Sequence, residues 1–260
     1  MLVYALAATG AAVYAFFFHA PSTDVKIGAD LSTIPDVIGE HPPAERKKVG
    51  KLTMPLDGPL PDNLKVGLNK TVRIGQLEVT PLGVEQKLIR VFQRIGSGGN
   101  YAPIQLGSTP TLVLRLRLKN TSNDIVFYPT DPAFNRRMNR DPKLKEPPPA
   151  TGLVFGAKRF WGGPTKWPFA NPGSTSDVTG EYVEGQENDS KPLAPGENRD
   201  VLIVADKADP QMMKTFKSFS GPILWRVQLR RGLENIDGKD VPLTAIVGVE
   251  FEPRDVQIKG

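Results

Sequence analysis

Cysteine is absent from this chain, and histidine occurs only twice, at His19 and His41. The first absence excludes disulfides, thiolate metal sites, cysteine nucleophiles and the lipid-modified cysteine of a bacterial lipoprotein. The second leaves the region after residue 41 without an imidazole, which disfavours zinc binding and a Ser-His-Asp site there. Charge is absent from the first eighteen residues, Met1 to Phe18, MLVYALAATGAAVYAFFF. No Lys or Arg precedes or enters that run, so it lacks the basic start of a secretory signal peptide. The positive-inside rule then has only the downstream flank to act on, where Asp24, Lys26 and Asp30 balance poorly.

An eighteen-residue helix is about 27 Å long, close to the roughly 30 Å hydrocarbon core of a bilayer. The expectation is a retained single-span anchor over residues 1–19, with the body in the periplasm or outside the cell. A cleaved signal and a buried core helix are the alternatives. The positions before Pro21 suit cleavage badly, because Phe18 stands where a small residue is wanted. Residues 20–66 read as a stalk, punctuated by Pro21, Pro35, Pro42, Pro43, Pro55, Pro59 and Pro61.

The formal net charge of +5 is unevenly distributed. Residues 67–148 hold 13 basic and 6 acidic residues, whereas the segments on either side are each slightly acidic. With 25 Gly and 25 Pro, the chain suits strands joined by many turns. From residue 67 the apolar residues alternate. Val72, Ile74, Leu77 and Val79 mark a first strand region, with Gly75 read as a bulge or kink. Leu88 to Arg94 follows. Leu112 to Asn120 is the clearest strand, with Leu112, Leu114, Leu116 and Leu118 on one face and Val113, Arg115, Arg117 and Lys119 on the other. Further strands are expected at Ile125 to Tyr128, Leu153 to Phe155, Asp200 to Ala205, Ile223 to Arg230 and Thr244 to Glu252. A short helix is expected over Asp209 to Phe219, and a hairpin turn at Asn235-Ile236-Asp237-Gly238. The fold expected is all-β: a β-sandwich of about seven to nine strands over residues 67–260, with a long insertion at 129–192. A barrel is the alternative.

Three pieces in order, LEVTPLGVE at Leu77 to Glu85, KNTS at Lys119 to Ser122 and LAPGE at Leu193 to Glu197, give the chain a resemblance to a known family. It resembles the bacterial extracellular immunoglobulin-like (telokin-like) domains that follow a signal peptide, an anchor or a lipid anchor. The resemblance spans about residues 70–252. It implies an immunoglobulin-like sandwich outside the cytoplasm and leaves activity open, since many members have none assigned. The insertion and the missing lipidated cysteine depart from the family.

Two candidate binding features stand out. The segment RFWGGPTKWPF supplies Phe160, Trp161, Trp167 and Phe169 beside Arg159 and Lys166, a set suited to stacking on a sugar or anchoring a protein. Its ordinary alternative is a loop folded back to cap the sandwich. The second is a basic face of Arg115, Arg117 and Lys119, joined by Arg226, Gln228 and Arg230 if both strands share a sheet, and by Arg136, Arg137 and Arg140. That face suits an anionic lipid, a polyanionic glycan or an acidic protein. Its ordinary alternative is pairing with Glu78, Glu250 and Glu252 on neighbouring strands. An acidic segment, Glu181, Glu184, Glu187 and Asp189, and the pair Asp237 and Asp240 are weaker candidates for a hard cation. No cofactor, resident metal or catalytic set is expected, and an exported protein is a poor partner for nucleic acid. The function expected is a membrane-anchored, non-catalytic envelope module that binds or scaffolds a protein partner. A glycan- or polyanion-binding module is the alternative, and a carboxylate-dependent hydrolase a distant third.

Overall fold

A computed structural model describes residues 36–37, 53–54, 58–95, 100–105, 109–130, 134, 150–162, 182–186, 191–205, 210–236 and 238–259. The expected anchor, Met1 to Phe18, lies outside these residues. Among the described residues no helix is long and apolar enough to cross a membrane.

Among the described residues the structure is all-β apart from one nine-residue α-helix and two three-residue 3-10 turns, Asp62–Leu64 and Pro253–Asp255. In order the strands are β1 (Asp36–Val37), β2 (Thr53–Met54), β3 (Lys65–Gly67), β4 (Val72–Ile74), β5 (Leu77–Lys87), β6 (Arg90–Ile95), β7 (Asn100–Gln105), β8 (Thr111–Asn120), β9 (Gly152–Phe155), β10 (Lys158–Trp161), β11 (Tyr182–Val183) and β12 (Asn198–Val204). Helix α1 (Pro210–Ser218) comes next, then β13 (Ile223–Ile236), β14 (Lys239–Phe251) and β15 (Val256–Ile258). Two main sheets carry the core. Sheet I has the order β10-β9-β13-β14-β3. Sheet II has the order β12-β8-β5-β15, with β4 also on β5. A smaller sheet III runs β11-β6-β7, and β1 pairs β2 in parallel.

The two main sheets face each other across one hydrophobic core. The alternation of β8 explains its half: Leu112, Leu114, Leu116 and Leu118 are all buried in that core. Val79 and Val84 of β5 join them, and from sheet I come Trp225, Val227 and Leu229 of β13 and Val247, Val249 and Phe251 of β14. Each such side chain contributes roughly 1.5–3 kcal/mol of burial. Helix α1 adds Met212, Met213 and Phe216 to the same core, so its near-helical apolar spacing was a sound guide.

Several expectations change. Gly75 is the first residue of a two-residue hairpin turn between β4 and β5, where Ile74 pairs with Leu77 and Gly75 has φ +61°. A residue with no Cβ suits that left-handed position. Ile125 to Tyr128 forms no strand; Phe127 makes a single bridge to Leu193. Lys158–Trp161 is a strand rather than the start of a loop, folded onto β9 through Gly156 at φ +58°. The body also begins before residue 67: Leu60, Leu64 and Val66 are buried, and β3 pairs β14. Among the described residues the two main sheets hold ten strands, because the short strands β3, β4, β10 and β15 add to those expected; β13 and β14 also run longer than expected.

The outer faces of the two main sheets differ. Leu60 and Ala150 pack over Ile246 and Leu224 on sheet I. On sheet II one end is covered, where Ile89, Val91 and Val183 pack on Val113, Val204 and Leu202. The other end presents charged side chains.

Candidate functional site

The exposed end of sheet II is built by register. Glu78 pairs with Lys119, Thr80 with Arg117 and Gly83 with Arg115 across β5 and β8, while Asp200 lies beside Arg117 on β12. Period-two alternation therefore lines Arg115, Arg117 and Lys119 along one strand at about 6.8 Å intervals.

Glu85 reaches this face through a bulge. The β5–β8 register shifts between Pro81 and Gly83. Val84, not Glu85, consequently points into the core, and Glu85 sits on the outer side with Arg115. Without the extra residue, the alternation begun at Leu77 and Val79 would turn Glu85 inward.

The charges fall into two groups. Arg117 donates from Nε to Asp200 Oδ1 at 2.7 Å and from Nη2 to Oδ2 at 3.1 Å, a bidentate pair. That bond and the carboxylate's charge raise the Arg117 pKa. Lys119 is 3.9 Å from Glu78. In the second group, Glu85 lies against Lys259, Lys87 and Arg115. Burial works to raise the Glu85 pKa, but the bonds from Lys259 and Lys87, with their positive charges, outweigh it and hold the carboxyl below its ordinary value.

The remaining candidates are placed as follows. Phe160 is buried in the core, edge-on to Phe155 at 5.5 Å between ring centres, so its ring is no exposed stacking platform. Its position on β10, opposite Leu153, explains this. Trp161 ends β10 as the backbone partner of Gly152. Trp167, Phe169, Arg136 and Arg137 lie outside the described residues, as do Arg140, Glu181, Glu187, Asp189 and Asp237. Arg226, Gln228 and Arg230 do not extend the basic face of β8, because β13 belongs to the other sheet. Arg226 is buried and donates to Gly58 O at 2.6 Å, and Arg230 stacks over Phe134 at 5.1 Å. The carboxylates beside Arg115 and Arg117 are Glu85 and Asp200, not Glu250 or Glu252; Glu78 serves Lys119. Glu184 is engaged by Arg90 at 2.7 Å. Among the described residues, no group of three Asp, Glu or His is placed to hold a metal ion.

Glu85, Asp200, Lys87 and Lys259 were missed from sequence as members of this surface. The available signal was Gly83 within a strand, which marks a possible change of phase. No protein-family model, no curated protein and no solved structure matches the chain.

Proposed function

We propose that this chain is a membrane-anchored, non-catalytic binding or scaffolding module that presents an immunoglobulin-like β-sandwich outside the cytoplasm. The observation that carries the reading is the contrast between the two outer faces. The chain's own Leu60 and Ala150 pack on sheet I, while sheet II leaves Arg117, Lys119 and Asp200 exposed on a regular strand lattice. Such a face suits recognition of a charged protein surface. The uncharged stretch from Met1 to Phe18 supports the anchor, and the resemblance at residues 77–85, 119–122 and 193–197 supports the location.

Cell fractionation and protease treatment test the placement. The full chain is expected in the membrane fraction, with its body cleaved by protease added outside the inner membrane; a chain lacking residues 1–19 is expected to be released or retained inside. Recovery of the full chain in the soluble fraction would overturn the anchored reading.

A second reading, a glycan- or polyanion-binding module, is favoured by one feature. Arg115 and Lys119 approach their carboxylates no closer than 3.6 Å and 3.9 Å among the described residues, which leaves donors available to an outside anion. With Phe160 in the core, this reading rests on the basic face. Retention on immobilised polyphosphate, lost on Lys119→Gln, tests it.

A further inference from the structure

Three cations from three separate places in the chain converge on one buried carboxylate. Glu85 Oε1 accepts from Lys259 Nζ at 2.6 Å and lies 3.6 Å from Arg115 Nη1; Oε2 lies 3.2 Å from Lys87 Nζ. Lys87 ends β5, Arg115 lies mid-way along β8, and Lys259 follows β15, whose parallel pairing with β5 sets Gln257 beside Glu85. The Glu85 side chain is 4% exposed, whereas those of Lys87, Arg115 and Lys259 are 28%, 42% and 50% exposed. The negative charge lies underneath and the positive charges face solvent.

Among the described residues, three positive charges against one leave two in excess. The only other carboxylate paired with Arg115 among the described residues is Asp200, at 3.9 Å, and Arg117 already holds it in the bidentate pair. Donors remain as well. Each ammonium has three N–H groups, and Arg115 has five in a planar fork that no acceptor within hydrogen-bond distance occupies among the described residues. A planar fork beside two ammonium groups suits the several oxygens of a phosphate, and an excess of two charges suits a dianion.

We propose that Lys87, Arg115 and Lys259 form a binding site for a phosphate group on the outer face of sheet II, with Glu85 as the buried positioning residue that holds Lys87 and Lys259 in place and draws Arg115 beside them by charge alone before the ligand arrives. Gathering them in advance removes part of the ordering cost of binding. The proposal deepens the anionic-ligand reading above and rests on it, but it places the ligand at the Glu85 end of the face rather than at Lys119.

Calorimetric titration of the full chain in detergent, at constant ionic strength set with chloride, tests this. One arm uses inorganic phosphate and the other glycerol 3-phosphate. Saturable binding is expected, weakened about tenfold by Arg115→Gln through loss of one charge-assisted contact. It should be unchanged by Lys214→Gln, an exposed control on α1. Tighter binding of glycerol 3-phosphate identifies a phosphoester headgroup as the source, and tighter binding of inorganic phosphate identifies the free ion. Arg115 is half exposed, so the variant should keep its melting midpoint. No saturable binding in either arm, or equal weakening by Lys214→Gln, overturns the proposal. Retention on polyphosphate that depends on Lys119 but not on Lys87 also overturns it, while leaving the polyanion reading standing.

Discussion

Replacing Asn120 by alanine should be among the most damaging single changes in the sandwich. Asn120 ends β8 and is fully buried. Its Nδ2 donates to Ile125 O at 2.7 Å and to Leu193 O at 2.9 Å, and its Oδ1 accepts from Ser122 N at 2.9 Å. Ser122 Oγ lies 2.6 Å from the same Oδ1 and 2.9 Å from Ile125 O, so its single proton can turn to Ile125 O when Asn120 is cut back. Two groups are then left short: the Ser122 N–H, and Leu193 O, which keeps only a 3.5 Å contact from Phe127 N. At about 1–3 kcal/mol for each unsatisfied buried group, the loss comes to roughly 2–6 kcal/mol. Against a typical stability of roughly 5–15 kcal/mol, that is a large share. Asn120→Asp keeps the shape and tests hydrogen-bond polarity alone. It replaces both donors with an acceptor facing two carbonyl oxygens, and it should cost at least as much at neutral pH. Urea unfolding of the full chain, followed by tryptophan fluorescence, to which the buried Trp225 contributes, measures both variants. A loss below about 1 kcal/mol at unchanged m-value would refute the reasoning, because a satisfied buried amide should cost more than a solvated one.

Gly232 has φ +142°, and a Cβ there would collide with the Gln76 side-chain oxygen that accepts from Leu233 N. Gly232→Ala should therefore lower stability several-fold more than Gly238→Ala, whose Cβ meets nothing within 4 Å and which should cost about 1 kcal/mol through its φ alone; thermal melts of the pair give the comparison. The lowered pKa of Glu85 means that its stabilisation is fully present above its ordinary value of 4.5 and is lost as pH falls through its folded-state value. Glu85→Gln should thus flatten the acid limb of the melting-temperature profile, and an unchanged limb would count against the buried ion cluster. Asp200→Asn removes only a half-exposed pair and should cost less than about 1 kcal/mol, with the effect shrinking in high salt. Trp225→Ala should cost about 3–5 kcal/mol, whereas Trp225→Phe should cost much less, because among the described residues the indole N–H has no partner to lose.

Much of the fold was legible where one physical rule acts alone. The leucines of β8 alternate with charged residues, and a half-buried strand is the only regular structure that separates the two sets. Met212, Met213 and Phe216 recur as a helix requires. The KNTS and LAPGE pieces were legible as turn chemistry but not as neighbours. In the fold they join: Asn120 Nδ2 donates to Leu193 O, Gly196 N donates to Asn120 O, and Asn120 N donates to Glu197 O. Glu197 closes its own turn by accepting from Ala194 N at 2.9 Å, and that bond, with Arg199 nearby, lowers its pKa. Ile125 to Tyr128 misled because apolar residues with β propensity also serve in irregular segments that cross the end of a sheet. Phe160 misled because a segment dense in Gly and Pro conceals a short edge strand, and only the pairing with β9 turns its ring inward.

By itself the sequence determined that the first eighteen residues are uncharged and that disulfides and thiolate chemistry are excluded. It also determined that Arg115, Arg117 and Lys119 share one face of a strand, since side-chain direction along a strand is a local property with period two. Which carboxylates meet those cations was decided only in three dimensions. Asp200 arrives from β12 and Lys259 from beyond β15, both far away in sequence, and a one-residue bulge between Pro81 and Gly83 brings Glu85 out beneath Arg115. Register and bulges depend on how whole sheets pack, and a single extra residue reverses every side chain beyond it.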